Sequence, residues 1–132
     1  MLLVDTNVLI DVLEDDPQWA DWSITQLRAQ CKVHHLTINP IIYAELSLTF
    51  SRVEALDDAI DNLGVSLMEI PRPALFLAGK AFALYRKRNG KANNVLADFF
   101  IGAHAAVVGC ALLTRDARRY QAYFPKVKLI TP

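Results

Sequence analysis

Short apolar runs alternate with longer amphipathic stretches along this chain. "LLV" at 2–4 reads as a strand, and Asn7 to about Glu14 as a helix with Val8, Leu9, Val12 and Leu13 on its apolar side. Pro17 opens a second helix through Gln30, with Trp19, Ile24 and Leu27 inward. "KVHHLT" follows as a strand, which sends His34 and His35 to opposite faces. Asn39 and Pro40 have the chemistry of an N-cap and a first helical residue, and that helix runs to about Phe50. Val53 to Leu63 forms another helix, ended by Gly64, before the strand "VSLMEI". Pro73 starts a helix through Lys87, and "RNGK" makes a polar turn. Asn94 caps a helix from Val95 to Val108, closed by Gly109. "CALLT", the short helix "RDARRYQAYF" and the strand "KVKLIT" complete the order.

Strands alternating with helices predict an α/β fold with a parallel sheet covered on both faces. A length of 132 residues without a linker or repeat suits one domain spanning residues 1–132. Ligand sites in such sheets form beyond the carboxyl ends of the strands. Asp5 lies at the end of the first strand, and Arg115 and Asp116 just past the fourth.

Composition narrows the class. The longest apolar run, near Phe99 to Val108, is interrupted by Gly102 and His104 and is too short to span a bilayer. No basic segment and no small-residue cleavage site mark the start, so no signal peptide is expected. Cys31 and Cys110 lack metal-ligand spacing and are expected to be reduced thiols of a cytoplasmic protein. Net charge is zero, but its distribution is uneven. Met1 to Leu27 holds acids and no Lys or Arg, whereas Ile70 to Ala97 holds Arg72, Lys80, Arg86, Lys87, Arg88 and Lys91 and no acid. A later basic cluster comprises Arg115, Arg118, Arg119, Lys126 and Lys128. A basic wall can therefore flank an acidic site, although each cluster alone also reads as a solvated helix face.

The acids are the residues that need explaining. Asp5 is either a helix cap or a functional carboxylate, and Thr6 could cap equally well. Glu45 shares a helix face with Ile41 and Leu48, so it is either functional or a marginal residue reaching for water. Asp98 lies in "NVLADFFIGAHAAVVG", a helix apolar nearly all round. There it needs a partner, whether a structural one such as Lys91 or an arginine, or a ligand. Asp116 alone reads as the cap of the following helix, and its place at a strand end keeps it a site candidate. Four converging acids would repel one another and raise some pKa values. A divalent cation would relieve that, and oxygen ligands without His or Cys favour Mg²⁺ or Mn²⁺. Such ions activate water and stabilise the leaving oxygen of a phosphodiester. Nucleic-acid hydrolysis then follows, with Arg86, Lys87, Arg88, Lys91 and Arg115 as candidate contacts to flanking phosphates. His34, His35 and His104 read as structural or surface residues, and no phosphate loop, serine elbow or Cys–His pair is visible.

"LLVDTNVLID", "YAEL", "ADFFIGAHA" and "LLTRDARRY" together resemble a PIN-domain ribonuclease, and the size and "TRDARRY…FP" ending are most similar to VapC-type toxins of toxin–antitoxin pairs. The resemblance covers essentially the whole chain. It implies a parallel sheet of order 3-2-1-4-5 and Mg²⁺- or Mn²⁺-dependent cleavage of RNA, leaving a 3′-hydroxyl and a 5′-phosphate. By matching motif, Asp5, Glu45, Asp98 and Asp116 become the metal-site acids, with Asn7 and Thr114 in support. It further implies a homodimer, silenced by a VapB-type antitoxin, that inhibits translation by cutting transfer RNA or ribosomal RNA loops. Ala97 stands where many relatives carry a polar or acidic residue before the third acid.

Rival classes fit less well. A receiver domain needs paired acids after its first strand and a lysine after its fifth, where this chain has "DTN" and "ITP". A haloacid-dehalogenase phosphatase needs a second Asp where Asn7 stands. A PIN-like module that binds RNA or protein without cutting is the remaining alternative, and clustered acids give such a module no advantage.

Overall fold

A computed structural model describes residues 1–89 and 95–132. It contains strands β1 (Leu2–Val4), β2 (Leu36–Ile38), β3 (Ser66–Leu67), β4 (Ala111–Leu113) and β5 (Leu129–Ile130). Its α-helices are α1 (Thr6–Leu13), α2 (Ala20–Gln30), α3 (Pro40–Leu46), α4 (Val53–Asn62), α5 (Arg72–Asn89), α6 (Leu96–Val108) and α7 (Arg118–Tyr123). All four strand pairings are parallel, and the order is β3-β2-β1-β4-β5, as the family resemblance implied. β1 is central and its three residues are buried, which explains an apolar run with no alternation.

Register decides what sits at the carboxyl edge. Val4 pairs with Leu113, so Asp5 and Thr114 emerge side by side one step later. The ladder continues there, with Asp5 N–H donating to the Leu113 carbonyl at 2.9 Å and Thr114 N–H to the Ile130 carbonyl at 3.1 Å. Helices α1, α3 and α6 then carry further residues back toward the same edge. α1 packs on α2 and α3, and α6 on α3, α5 and α7.

Several elements are shorter than their sequence pattern. Lys32 to His35 are not a strand, because α2 unwinds through turns such as the His34 N–H to Gln30 carbonyl bond at 2.8 Å. His34 and His35 therefore do not alternate across a sheet. α2 begins at Ala20 rather than Pro17, because the Asp16 carboxylate takes the N–H groups of Gln18 and Trp19 and holds a turn there. The helix opened by Pro40 yields to a 3₁₀ turn at Ser47–Thr49. α7 starts at Arg118, so Asp116 does not cap it. The "RNGK" turn beyond Asn89 and the Asn94 cap lie outside the described residues.

Two internal contacts fix the helices. The Asn39 side-chain oxygen accepts from Ile42 N–H at 3.0 Å and caps α3, as its sequence predicts. That leaves the Asn39 amide nitrogen facing His104 Nδ1 at 3.1 Å. Nδ1 must then accept, which puts the ring proton on Nε2, an atom with no hydrogen-bond partner among the described residues. Burial holds the His104 pKa below its usual value, so the ring stays neutral. Gly102 of α6 provides the second contact, because a Cβ there would stand inside the contact distance of the buried Phe124 ring. Gly102→Ala should lower stability by about 1–3 kcal/mol through overpacking. Urea denaturation checks this, and a Phe124→Leu change in the same chain should recover part of the loss.

Candidate active site

Asp5 ends the central strand and caps α1, with its Oδ1 accepting from Thr6 N–H at 2.8 Å. Its Oδ2 accepts from the Thr114 hydroxyl at 2.7 Å, the Tyr120 hydroxyl at 2.9 Å and the Asn7 amide at 3.4 Å. The cap and the site are therefore one residue, and the two sequence readings are compatible. Asp5 is 4% exposed, and this burial pushes its pKa up to about 6 despite the donors and with a further push from Asp98.

The supporting residues form one bonded set. The Thr114 hydroxyl also accepts from Asp116 N–H at 3.1 Å and from the Asn7 amide at 3.3 Å. Asn7 Oδ1 accepts Arg115 N–H at 3.1 Å, which ties the start of α1 to the loop after β4. Asn7 and Thr114 thus both bond to Asp5 and to each other.

Glu45 reaches the same place from α3, accepting the Thr6 hydroxyl at 2.5 Å. Its pKa is raised by burial and then by Asp98. Asp98 arrives from the first turn of α6 and pairs with Arg119 Nη1 of α7. Burial raises its pKa, Arg119 opposes that, and Asp116 adds to it. Asp98 is therefore the hub of the repulsion, since Asp5 and Glu45 respond to its charge and it responds to that of Asp116. Asp5, Glu45, Asp98 and Asp116 line one pocket of about 230 Å³ together with Thr6, Asn7, Ile10 and Tyr120.

Three contributors were not singled out by the sequence. Thr6 holds Glu45, Tyr120 holds Asp5, and Arg119 answers Asp98. An arginine partner for Asp98 was the structural alternative, and it coexists here with the acid pocket. The spacing of "ARRYQAYF" offers the only sequence signal, since it puts Arg119 and Tyr120 three to four residues beyond Asp116. Arg115 follows β4 and is engaged within the fold. Its guanidinium grips the buried Asp11 at 2.6 and 2.9 Å and lies 5.0 Å from the Trp19 ring centre. Asp11 is also bonded to Ser23 at 2.7 Å, so Arg115 staples the β4 loop to α1 and α2. Arg86, Lys87 and Arg88 are exposed in the last turn of α5, and Lys91 is outside the described residues.

Among the described residues no three Asp, Glu, His or Cys side chains stand close enough to hold a metal ion as they are. The donor chemistry still suits one. The pocket offers four carboxylates with hydroxyl and amide groups and no His or Cys, three of its acids have raised pKa values, and one of them pairs with an arginine. A hard divalent cation relieves such repulsion.

A family model for the PIN domain matches residues 2–125. The chain belongs to the PIN domain family. PIN domains are generally nucleases that hydrolyse phosphodiester bonds, and PIN nucleases typically use a divalent metal. Solved structures of similar fold include VapBC2 from Rickettsia felis bound to a DNA fragment from its promoter, with TM-score 0.74 and 18% identity over 98% of this chain and 97% of that one. FitAcB from Neisseria gonorrhoeae aligns with TM-score 0.68 and 22% identity, covering 98% and 96%. VapBC-1 from nontypeable Haemophilus influenzae gives TM-score 0.71 and 21% identity over the same shares, 98% and 96%. No match is found among curated protein sequences. Among the described residues no helix is long and apolar enough to cross a membrane.

Asp5 gives the PIN pocket a testable pH signature. Its folded pKa lies above the unfolded value of 3.8, so the folded state retains a proton that the unfolded chain has released. This contribution favours folding at low pH and is lost as pH rises toward about 6. In metal-free buffer, Asp5→Asn should gain stability relative to the parent between about pH 4 and pH 7, by up to on the order of 3 kcal/mol. Denaturant midpoints across that range check it, and a constant gap between the two proteins would refute it.

Proposed function

We propose that this PIN domain is a metal-dependent endoribonuclease and the toxin of a VapBC-type toxin–antitoxin pair. One observation carries the reading. A buried carboxylate at the end of the central strand faces three more acids across one small pocket. A structural network would pair such charges within the fold, yet two cationic side chains of the neighbourhood divide unevenly: Arg119 serves Asp98 and Arg115 serves Asp11.

Asp5, Glu45, Asp98 and Asp116 are the residues that would hold Mg²⁺ or Mn²⁺. When bound, the cation supplies positive charge at the scissile phosphate and lowers the pKa of an attacking water. The chain supplies the rest. Thr6, Asn7, Thr114 and Tyr120 orient the carboxylate oxygens so that their lone pairs point as the site requires. Glu45, at the edge of the pocket, can take a proton as water becomes a nucleophile. Arg119, beside Asp98, can counter charge on the phosphate. Arg86, Lys87 and Arg88, exposed in the last turn of α5, are the proposed contacts to flanking phosphates.

One structure of similar fold is described as a toxin–antitoxin complex from Klebsiella pneumoniae, which supports an antitoxin as partner. An arginine from such a partner would answer the same acids. Leu75, Phe76, Leu84 and Val107 are large apolar residues exposed on α5 and α6, and they support a homodimer. The cytoplasm, where transfer RNA and ribosomal RNA loops are found, is the proposed place of action.

Parent protein with Mg²⁺ or Mn²⁺ should cleave structured RNA, and Asp5→Asn should lose at least about a hundredfold of that rate. Cleavage that survives chelator, or a variant as active as the parent, would overturn the metal mechanism. Mn²⁺ binding followed by electron paramagnetic resonance should weaken in Asp5→Asn independently of activity. A folded parent inert on many RNAs with both metals would instead favour a binding module.

A further inference from the structure

A second and larger cavity, of about 600 Å³, opens beside the acid pocket. Tyr85 of α5 lines one side, and Ala117, Arg118, Arg119, Ala122 and Tyr123 the other. Asp116 lines both cavities, so the two adjoin at that residue. No other acid lines the larger one.

The walls are built from rings and guanidinium groups. Tyr123 is anchored by edge contacts with Phe99 at 5.2 Å and Tyr85 at 5.9 Å between ring centres, which makes it a stiff platform. The Arg88 guanidinium lies 5.8 Å from the Tyr123 ring centre, and that of Arg119 lies 5.7 Å from Tyr85. Arg118 is exposed at the rim. Ala117 and Ala122 are too small to fill the space between these groups. Aromatic faces and arginine planes are the surfaces on which unpaired bases stack, and the cations meet the phosphates on either side. The volume falls in the range of pockets that take one small-molecule-sized group, such as a nucleotide.

We propose that the cavity lined by Tyr85, Arg118, Ala122 and Tyr123 is a base-stacking subsite for an unpaired RNA nucleotide adjoining the cleaved bond. The proposal rests on the nuclease reading for the position of that bond, but stacking itself requires no metal and no cleavage. It assigns the substrate class as single-stranded or looped RNA, because a paired base cannot leave its helix to enter the cavity without an unstacking cost.

The test uses the full chain in chelator and a short unstructured RNA carrying one 2-aminopurine, whose fluorescence falls when it stacks. Titration with the parent should quench the probe. Ala122→Leu adds bulk at an exposed position, so folding should be unaffected while binding weakens about tenfold. Tyr123→Leu should weaken it at least as much, and Tyr123→Phe should preserve it. Binding without quenching, or parent-like binding by Ala122→Leu, overturns the subsite. So does protection of Ala122 and Tyr123 from hydrogen exchange by a co-purified protein and not by RNA. Cleavage without stacking overturns the subsite alone. Stacking by a parent that cuts no RNA supports the subsite and overturns the nuclease reading.

Discussion

The burial of one negative charge at the carboxyl end of β1 governs this structure. Asp5 is nearly inaccessible, and a lone buried carboxylate is costly unless donors surround it. The protein surrounds it from four directions: the backbone of Thr6, the hydroxyls of Thr114 and Tyr120, and the amide of Asn7. These donors come from α1, from the step beyond β4 and from α7. A single charge therefore draws together elements that are far apart in sequence, and its residual strain shows in the raised pKa.

The other acids extend the same problem outward. Glu45 and Asp98 are only partly buried, and each is given one strong partner, Thr6 or Arg119. Asp98 adds to the raised pKa values of Asp5 and Glu45 and is itself opposed by Arg119. Arg119 also lies against Tyr85 and lines the larger cavity, which links the charge of the acid pocket to the surface proposed for substrate. Arg115, its sequence neighbour in the basic cluster, is engaged in holding the fold together.

The sheet and the four acids were legible in sequence for specific reasons. "LLV" has no alternation because β1 is covered on both faces, and Asp5 stands out against that background. Asp98 stands out in the same way within α6. Asn39 and Pro40 mark the start of α3 because capping is a local interaction. Strand edges were not legible. Lys32 to His35 carry residues acceptable in a strand, and only the turns that finish α2 take them out of the sheet. Arg119 and Tyr120 were missed because their roles arise from where α7 packs, and a helix of six residues has too little periodicity to reveal its facing. The pairing of Arg115 with Asp11 was not legible because Asp11 is one of several acids in an N-terminal segment with no marker of burial.

The joint between Asn39 and His104 separates the rigidity of the site from its charge. It ties α3, which carries Glu45, to α6, which carries Asp98, through a contact between two neutral groups in the interior. Salt screens such a contact far less than it screens an ion pair. The two helices that carry Glu45 and Asp98 are thus joined without charge, beside a pocket where charge is concentrated.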